Sequence, residues 1–176
     1  MRFTLRNVTR NKDFELELPM SPVELHDQLD EQCEYIIVDS ELPNVSQYTQ
    51  IEIVNQFLLD CETKYLTEEE TLKLLCTALG FGETVNVIKT RNYILINFTE
   101  ETSEWNYGNG GDIHNADERG RLLHQHGIQF DWEKKYPIAE EMLDDIQWEN
   151  LWNMAESLGW EAIKYKNKFY LLGGQI

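Results

Sequence analysis

No apolar run in this chain approaches the roughly 18 residues that a membrane-crossing helix needs. The opening Met-Arg-Phe-Thr-Leu-Arg has no apolar signal core, so no secretion signal is expected. Cysteine is sparse: Cys33, Cys61 and Cys76 are odd in number and include no C-x-x-C pair. That pattern points to reduced thiols in a cytosol and away from a zinc ribbon. P-loop, G-x-G-x-x-G, G-x-S-x-G and H-E-x-x-H motifs are all missing, as are repeats and low-complexity segments. Basic residues are also scarce, with 15 Lys and Arg against 32 Asp and Glu, a net charge of −17.

What is present is enough for a core. Hydrophobic residues make up 41% and aromatics 11% of 176 residues, which suits one domain or two small ones and argues against wholesale disorder. The charge is uneven. Residues 1–12 carry Arg2, Arg6, Arg10 and Lys12 and no acid; residues 13–70 carry sixteen acids against Lys64 alone. A basic tip therefore leads into a strongly acidic body. Acidity often serves solubility alone, but so dense an excess repels itself and works against a compact state.

Phe3 and Leu5, then Phe14, Leu16 and Leu18, alternate with polar residues, so residues 2–18 read as a β-hairpin. Setting Leu5 opposite Phe14 and Phe3 opposite Leu16 gathers the apolar groups on one face. The same register places Arg2 opposite Glu17 and Arg6 opposite Asp13, leaving Arg10 and Lys12 unpaired at the tip. These four bases are the candidate nucleic-acid contacts; an ordinary charged loop has a similar composition.

Ser21, Pro22 and Glu24 form a capping box for a first helix striped by Leu25, Leu29 and Cys33. Tyr35–Val38 reads as a buried central strand. Thr49 with Glu52 reads as a second cap, opening a helix from about Ile51 to Tyr65 that buries Val54, Phe57, Leu58, Cys61 and Tyr65. Thr67–Glu70 reads as a third cap, for a helix lined by Leu72, Leu75, Cys76 and Leu79 and stopped by Gly80. Thr84–Thr90 and Tyr93–Phe98 are expected to form a second hairpin across Arg91-Asn92. The Gly- and Asn-rich stretch from Thr99 to Gly111, with Trp105 and Tyr107, reads as a binding or mobile loop. Asn115 and Glu118 open a short helix ending at Gly127, and Pro137 begins a longer helical region. Ile146, Trp148, Leu151, Trp152, Ala155 and Leu158 supply its apolar face, and Gly159 stops it. Trp160–Tyr165 and Lys168–Leu172 make a third hairpin around Lys166-Asn167, where Lys164, Lys166 and Lys168 form a second basic spot. The expected fold class is α+β. It comprises a basic N-terminal hairpin (1–20) joined to an acidic three-stranded antiparallel unit (14–82), then a second small α+β unit (83–176). The boundary is expected near Gly80–Glu83.

Residue types that do catalysis cluster only in Asp112, His114, Asp117, Glu118, His124 and His126. On the expected helix His124 and His126 point about 200° apart, which is poor spacing for a metal. Histidines in a last helical turn complement the helix dipole. No metal or cofactor is expected, and the catalytic residues of any activity are not identified by the sequence.

The F-x-L-x-L-P strand at Phe14–Pro19, the first helix, Y-I-I-V-D-S-E-L-P at Tyr35–Pro43 and the Tyr48-Thr49 cap with its helix resemble the first domain of ArdA antirestriction proteins. The likeness covers about residues 14–79. It implies a cytosolic protein of a plasmid, transposon or phage that mimics DNA, presenting carboxylates where DNA presents phosphates. An acidic body preceded by a basic hairpin also resembles, in layout, some type II anti-CRISPR proteins of Firmicute mobile elements. That likeness implies an inhibitor of a type II RNA-guided nuclease, with the hairpin reaching the guide RNA to bind it or promote its cleavage. The alternative is a restriction enzyme blocked by acidic-surface binding without catalysis. The implied setting is the bacterial cytoplasm, with no membrane partner.

Overall fold

The N-terminal alternation becomes a hairpin in the computed structural model, which describes residues 1–98, 116–128 and 145–174. Strands β1 (Arg2–Asn7) and β2 (Lys12–Glu17) pair antiparallel, with Phe3 opposite Leu16 and Leu5 opposite Phe14, the expected register. Strand β3 (Tyr35–Ser40) adds to the other side of β1, giving the order β2-β1-β3. Tyr35–Val38 is therefore an edge strand, not the central one. Nor is it buried throughout. Only Ile37 is fully inside, and Val38 is 39% exposed. The cause is a bulge: Thr4 faces Asp39 and Leu5 faces Ile37, so Val38 is the extra residue.

Helix α1 (Pro22–Gln28) starts with the expected reciprocal capping box between Ser21 and Glu24. It is shorter than expected, so Leu29 and Cys33 lie beyond it, half-buried. Helix α2 (Ile51–Asp60) continues through a π-helical turn, Cys61–Tyr65, and buries Val54, Phe57, Leu58 and Cys61, with Tyr65 half-buried. Its N-cap is Gln50 and makes no side-chain capping bond, so the Thr49–Glu52 box does not form. Helix α3 (Glu69–Leu79) likewise starts at Glu68 with no side-chain cap. Packing of the apolar stripes, rather than capping, holds both starts.

Gly80 ends α3 at φ 78°, a left-handed value that suits glycine, and begins α4 (Phe81–Thr90) directly. Thr84–Thr90 is thus helical, and the expected second hairpin is absent among the described residues. The β-branched sequence favours a strand locally. Burial of Phe81, Thr84 and Ile88 at helical spacing overrides it, with Phe81 edge-on to Phe57 at 5.6 Å. Thr84 is fully buried and satisfies its hydroxyl on the Gly80 carbonyl at 2.8 Å. The inward side chains Phe3, Leu5, Leu16 and Ile37 of the sheet, Leu18 just past β2 and those of α2, α3 and α4 form the core of a first unit, Met1–Arg91. The boundary falls at Arg91–Asn92, so α4 belongs to the first unit.

The second unit, Asn92–Ile176, holds β4 (Ile94–Phe98), α5 (Ala116–Gln125), α6 (Asp145–Ser157), β5 (Glu161–Tyr165) and β6 (Lys168–Gly173). Its sheet is antiparallel in the order β4-β6-β5. Trp148, Leu151, Trp152 and Ala155 from α6 pack with Leu122, Leu123, Ile96, Leu171 and Trp160. Leu158, expected on that apolar face, is 56% exposed, because α6 ends at Ser157 and the chain turns at Gly159. A side chain at Gly120 would strike the Trp148 backbone carbonyl, and one at Gly173 would strike the Trp160 indole. Among the described residues no helix is long and apolar enough to cross a membrane.

Candidate nucleic-acid interface

The four candidate bases sit on one hairpin but do not act as one patch. Strand alternation turns Arg2 and Arg6 to the face opposite Phe3 and Leu5. Arg6 reaches across to Asp13 in a two-pronged pair, Nε to Oδ1 at 2.7 Å and Nη2 to Oδ2 at 2.9 Å. That pairing follows the expected register. It holds the Asp13 carboxyl below its usual range and raises the Arg6 guanidinium, chiefly through the hydrogen bond. Arg2 lies opposite Glu17 in the ladder, yet its guanidinium goes to Glu41 at 3.2 Å. Glu41 also accepts the Arg2 backbone N–H at 2.9 Å, the main reason its carboxyl is held low.

Arg10 was expected to be unpaired. Instead its Nη2 donates to Asp30 at 2.5 Å, and its backbone N–H is held by Asn7 Oδ1. Asp30 is pulled below its usual range by the Gln32 backbone N–H, with Arg10 adding to it. Lys12 makes no ion pair among the described residues. Arg10, Lys12, Asn7 and Tyr35, with the carboxylate of Asp30, line a cleft of about 210 Å³ at the hairpin tip. Tyr35 is held in its wall by an edge-on contact to Phe14 at 5.7 Å and accepts the Asp30 N–H at 2.8 Å. Three of the four bases are therefore partly neutralised by their own fold, and the tip cleft is where two of them meet.

The acidic body is a true surface. Of its sixteen carboxylates, fourteen are exposed and the other two, Asp30 and Asp60, are half-buried. Asp27, Glu34, Asp39, Glu52, Glu62 and Glu68 make no ion pair among the described residues. They spread over α1, β3, α2 and the segments between and after them.

The D-S-E-L-P-N segment performs a structural task. Ser40 Oγ donates to the Leu42 carbonyl and accepts the Leu42 N–H, at 2.9 and 3.0 Å. Leu42 is 1% exposed. Asn44 Nδ2 donates to the Cys76 and Thr77 carbonyls at 3.0 and 3.2 Å, satisfying the end of α3. Asn55, 2% exposed, clamps Met20 through both amide atoms at 2.8 Å. Sequence reading missed Asn55, whose polar side chain gives no sign of burial at its place on the helix.

Among the described residues the histidine region brings no set of catalytic side chains together. His124 sets its ring edge-on to Trp148 at 5.3 Å, and His126, just past α5, has its Nδ1 2.9 Å from the Leu122 carbonyl. Asp117 and Glu118 lie in the first turn of α5. Asp112, His114, Trp105 and Tyr107 fall outside the described residues. Among the described residues no group of three His, Cys, Asp or Glu side chains is placed to hold a metal. Burial pushes the Cys61 thiol up to about 12 and the Cys76 thiol up to about 11, so neither serves as a thiolate nucleophile. Compared with models of known protein families the chain matches none, and it matches no curated protein.

Proposed function

We propose that this protein is an anti-defence inhibitor acting in a bacterial cytoplasm, in which the acidic first unit docks on the basic nucleic-acid channel of a type II CRISPR effector nuclease. The observation that supports the reading best is the array of exposed carboxylates between Asp13 and Glu70, among them Asp27, Glu34, Asp39, Glu52, Glu62 and Glu68 with no ion pair among the described residues, on a packed frame. Duplex DNA carries one charge per about 1.7 Å, and a channel built to neutralise it attracts a comparable array of carboxylates. The guide RNA is then met by the tip cleft, through Arg10 and Lys12, with Arg2 and Arg6 along the strand behind them.

A second reading has its own support. Arg2, Arg6 and Arg10 already hold carboxylates, which lowers what the hairpin has to offer a phosphate. That favours plain acidic mimicry, with a restriction enzyme as the alternative target and no catalysis.

One experiment separates them. Guide RNA is incubated with the protein, with and without its effector, and run on a denaturing gel while target-DNA cleavage is followed in parallel. Shortened RNA supports action on the guide. Intact RNA with blocked DNA cleavage supports mimicry. Intact RNA with normal DNA cleavage removes the CRISPR reading and leaves the restriction enzyme. Neutralising Asp27, Glu34 and Glu52 together to Asn or Gln is expected to cut inhibition at least tenfold under either acidic-docking reading.

A further inference from the structure

A second basic projection on this acidic chain is the β5–β6 hairpin. Strands β5 and β6 pair with Lys164 opposite Phe169 and Tyr165 opposite Lys168. Lys166 and Asn167 join them with φ of 47° and 62°. Two successive left-handed residues make the two-residue turn whose twist matches its strands, so the tip is held in one shape. Lys164, Lys166 and Lys168 are all exposed, while Tyr165, Phe169 and Tyr170 are half-buried. Strand alternation sends Lys164 to one face and Lys168 to the other, with Lys166 at the turn.

The N-terminal arginines meet carboxylates; here Lys164 and Lys166 each stand against a ring. Lys164 Nζ lies 5.6 Å from the Phe169 centroid, and Lys166 Nζ lies 5.4 Å from that of Tyr165. An aromatic ring orients an ammonium group without cancelling its charge. Lys164 and Lys168 make no ion pair among the described residues. Of the seven basic residues after Arg91, three fall in these five positions, and Glu161 is the single acid in the hairpin.

We propose that the β5–β6 hairpin is a binding site for single-stranded nucleic acid, with Lys164, Lys166 and Lys168 on the backbone phosphates and Tyr165 against an unpaired base. Three ammonium groups around a narrow tip suit a flexible strand that wraps it. A base face for stacking is offered by single strands and is closed off within a duplex. The site stands apart from the anti-defence reading, since it needs neither an effector nor a guide.

The test is fluorescence anisotropy of the full chain with a labelled 15-nucleotide oligouridine, titrated from 25 to 200 mM KCl. The unchanged chain should bind, with affinity falling as roughly the second power of salt, as three phosphate contacts to a single strand imply. Replacing the three lysines together by alanine should weaken binding at least tenfold and flatten the salt dependence, while arginine at all three keeps both. Tyr165→Leu should lower affinity severalfold and leave the salt slope unchanged. Far-UV circular dichroism checks that each variant folds. Arg10→Ala/Lys12→Ala is measured beside them. Three results overturn the proposal: no binding by the unchanged chain at 25 mM KCl, a loss confined to the N-terminal variant, or equal affinity for a duplex of the same length. A fourth overturning result is a salt-sensitive dimer, seen by sedimentation, that the lysine variants dissolve without changing oligouridine binding. That would make the acidic surface of a second copy the occupant.

Discussion

Arg10 and Asp30, twenty residues apart, are joined by a 2.5 Å ion pair that ties the tip of the first hairpin to the loop after α1. The pair spends much of the tip's positive charge at home. Asp30→Asn keeps the oxygen that accepts the Gln32 N–H at 3.0 Å, so the loop should hold its shape while Arg10 is released. If the tip meets RNA, the variant should bind guide RNA about two- to fivefold more tightly at low salt, in line with the ~0–1 kcal/mol of an exposed pair. Anisotropy titration reads this, and unchanged affinity would take the tip out of RNA contact.

Asn55 is expected to be the most sensitive polar position in the first unit. Its buried amide both donates to and accepts from the half-buried Met20. Asn55→Ala strands the partly buried N–H and carbonyl of Met20 together, which costs on the order of 2–6 kcal/mol at about 1–3 kcal/mol per stranded group. The first unit should melt roughly 10 °C or more lower, given about 4–8 °C per kcal/mol in a domain of this size. Differential scanning calorimetry would show it, and a shift below 3 °C would contradict the clamp.

Two glycines give opposite expectations. Gly120→Ala drives a methyl group into the Trp148 carbonyl and forces α5 and α6 apart. It should destabilise the second unit by about 1–3 kcal/mol. Gly82 lies in α4 with nothing within 4 Å of an added methyl. Gly82→Ala should stabilise the first unit by up to about 1 kcal/mol. Urea denaturation of the pair checks both signs at once.

The thiols should separate by burial. Cys61 and Cys76 are 1% and 0% exposed, and burial raises both thiols well above the ordinary value of 9.0. Cys33 is half-buried in the loop before β3. A thiol reagent at pH 8 should therefore modify one cysteine quickly in the native protein and all three in urea, with Cys33→Ser removing the fast phase.

Local rules made much of the fold legible. Alternation and side-chain register set both the β1–β2 and the β5–β6 hairpins, and the Arg6–Asp13 pair followed from the first of them. The Ser21–Glu24 box and the stops at Gly80 and Gly159 rest on residues within one turn of each other. Those rules fail where a distant surface competes. Thr49 fits a capping pattern, yet the stripe of α2 is held by packing and starts at Gln50. Thr84–Thr90 prefers a strand locally, yet Phe57 and the core offer more to Phe81, Thr84 and Ile88 in a helix.

The candidate site divides the same way. By itself the sequence determined that an acidic body lies between two short basic hairpins, because charge and alternation are properties of neighbouring residues. Only the tertiary structure decided which bases keep their charge available. Arg2 met Glu41, thirty-nine residues away, and Arg10 met Asp30, because β3 came to the edge beside β1 and the loop after α1 came under the tip. Ion pairing depends on distances of a few ångströms, which chain separation does not specify.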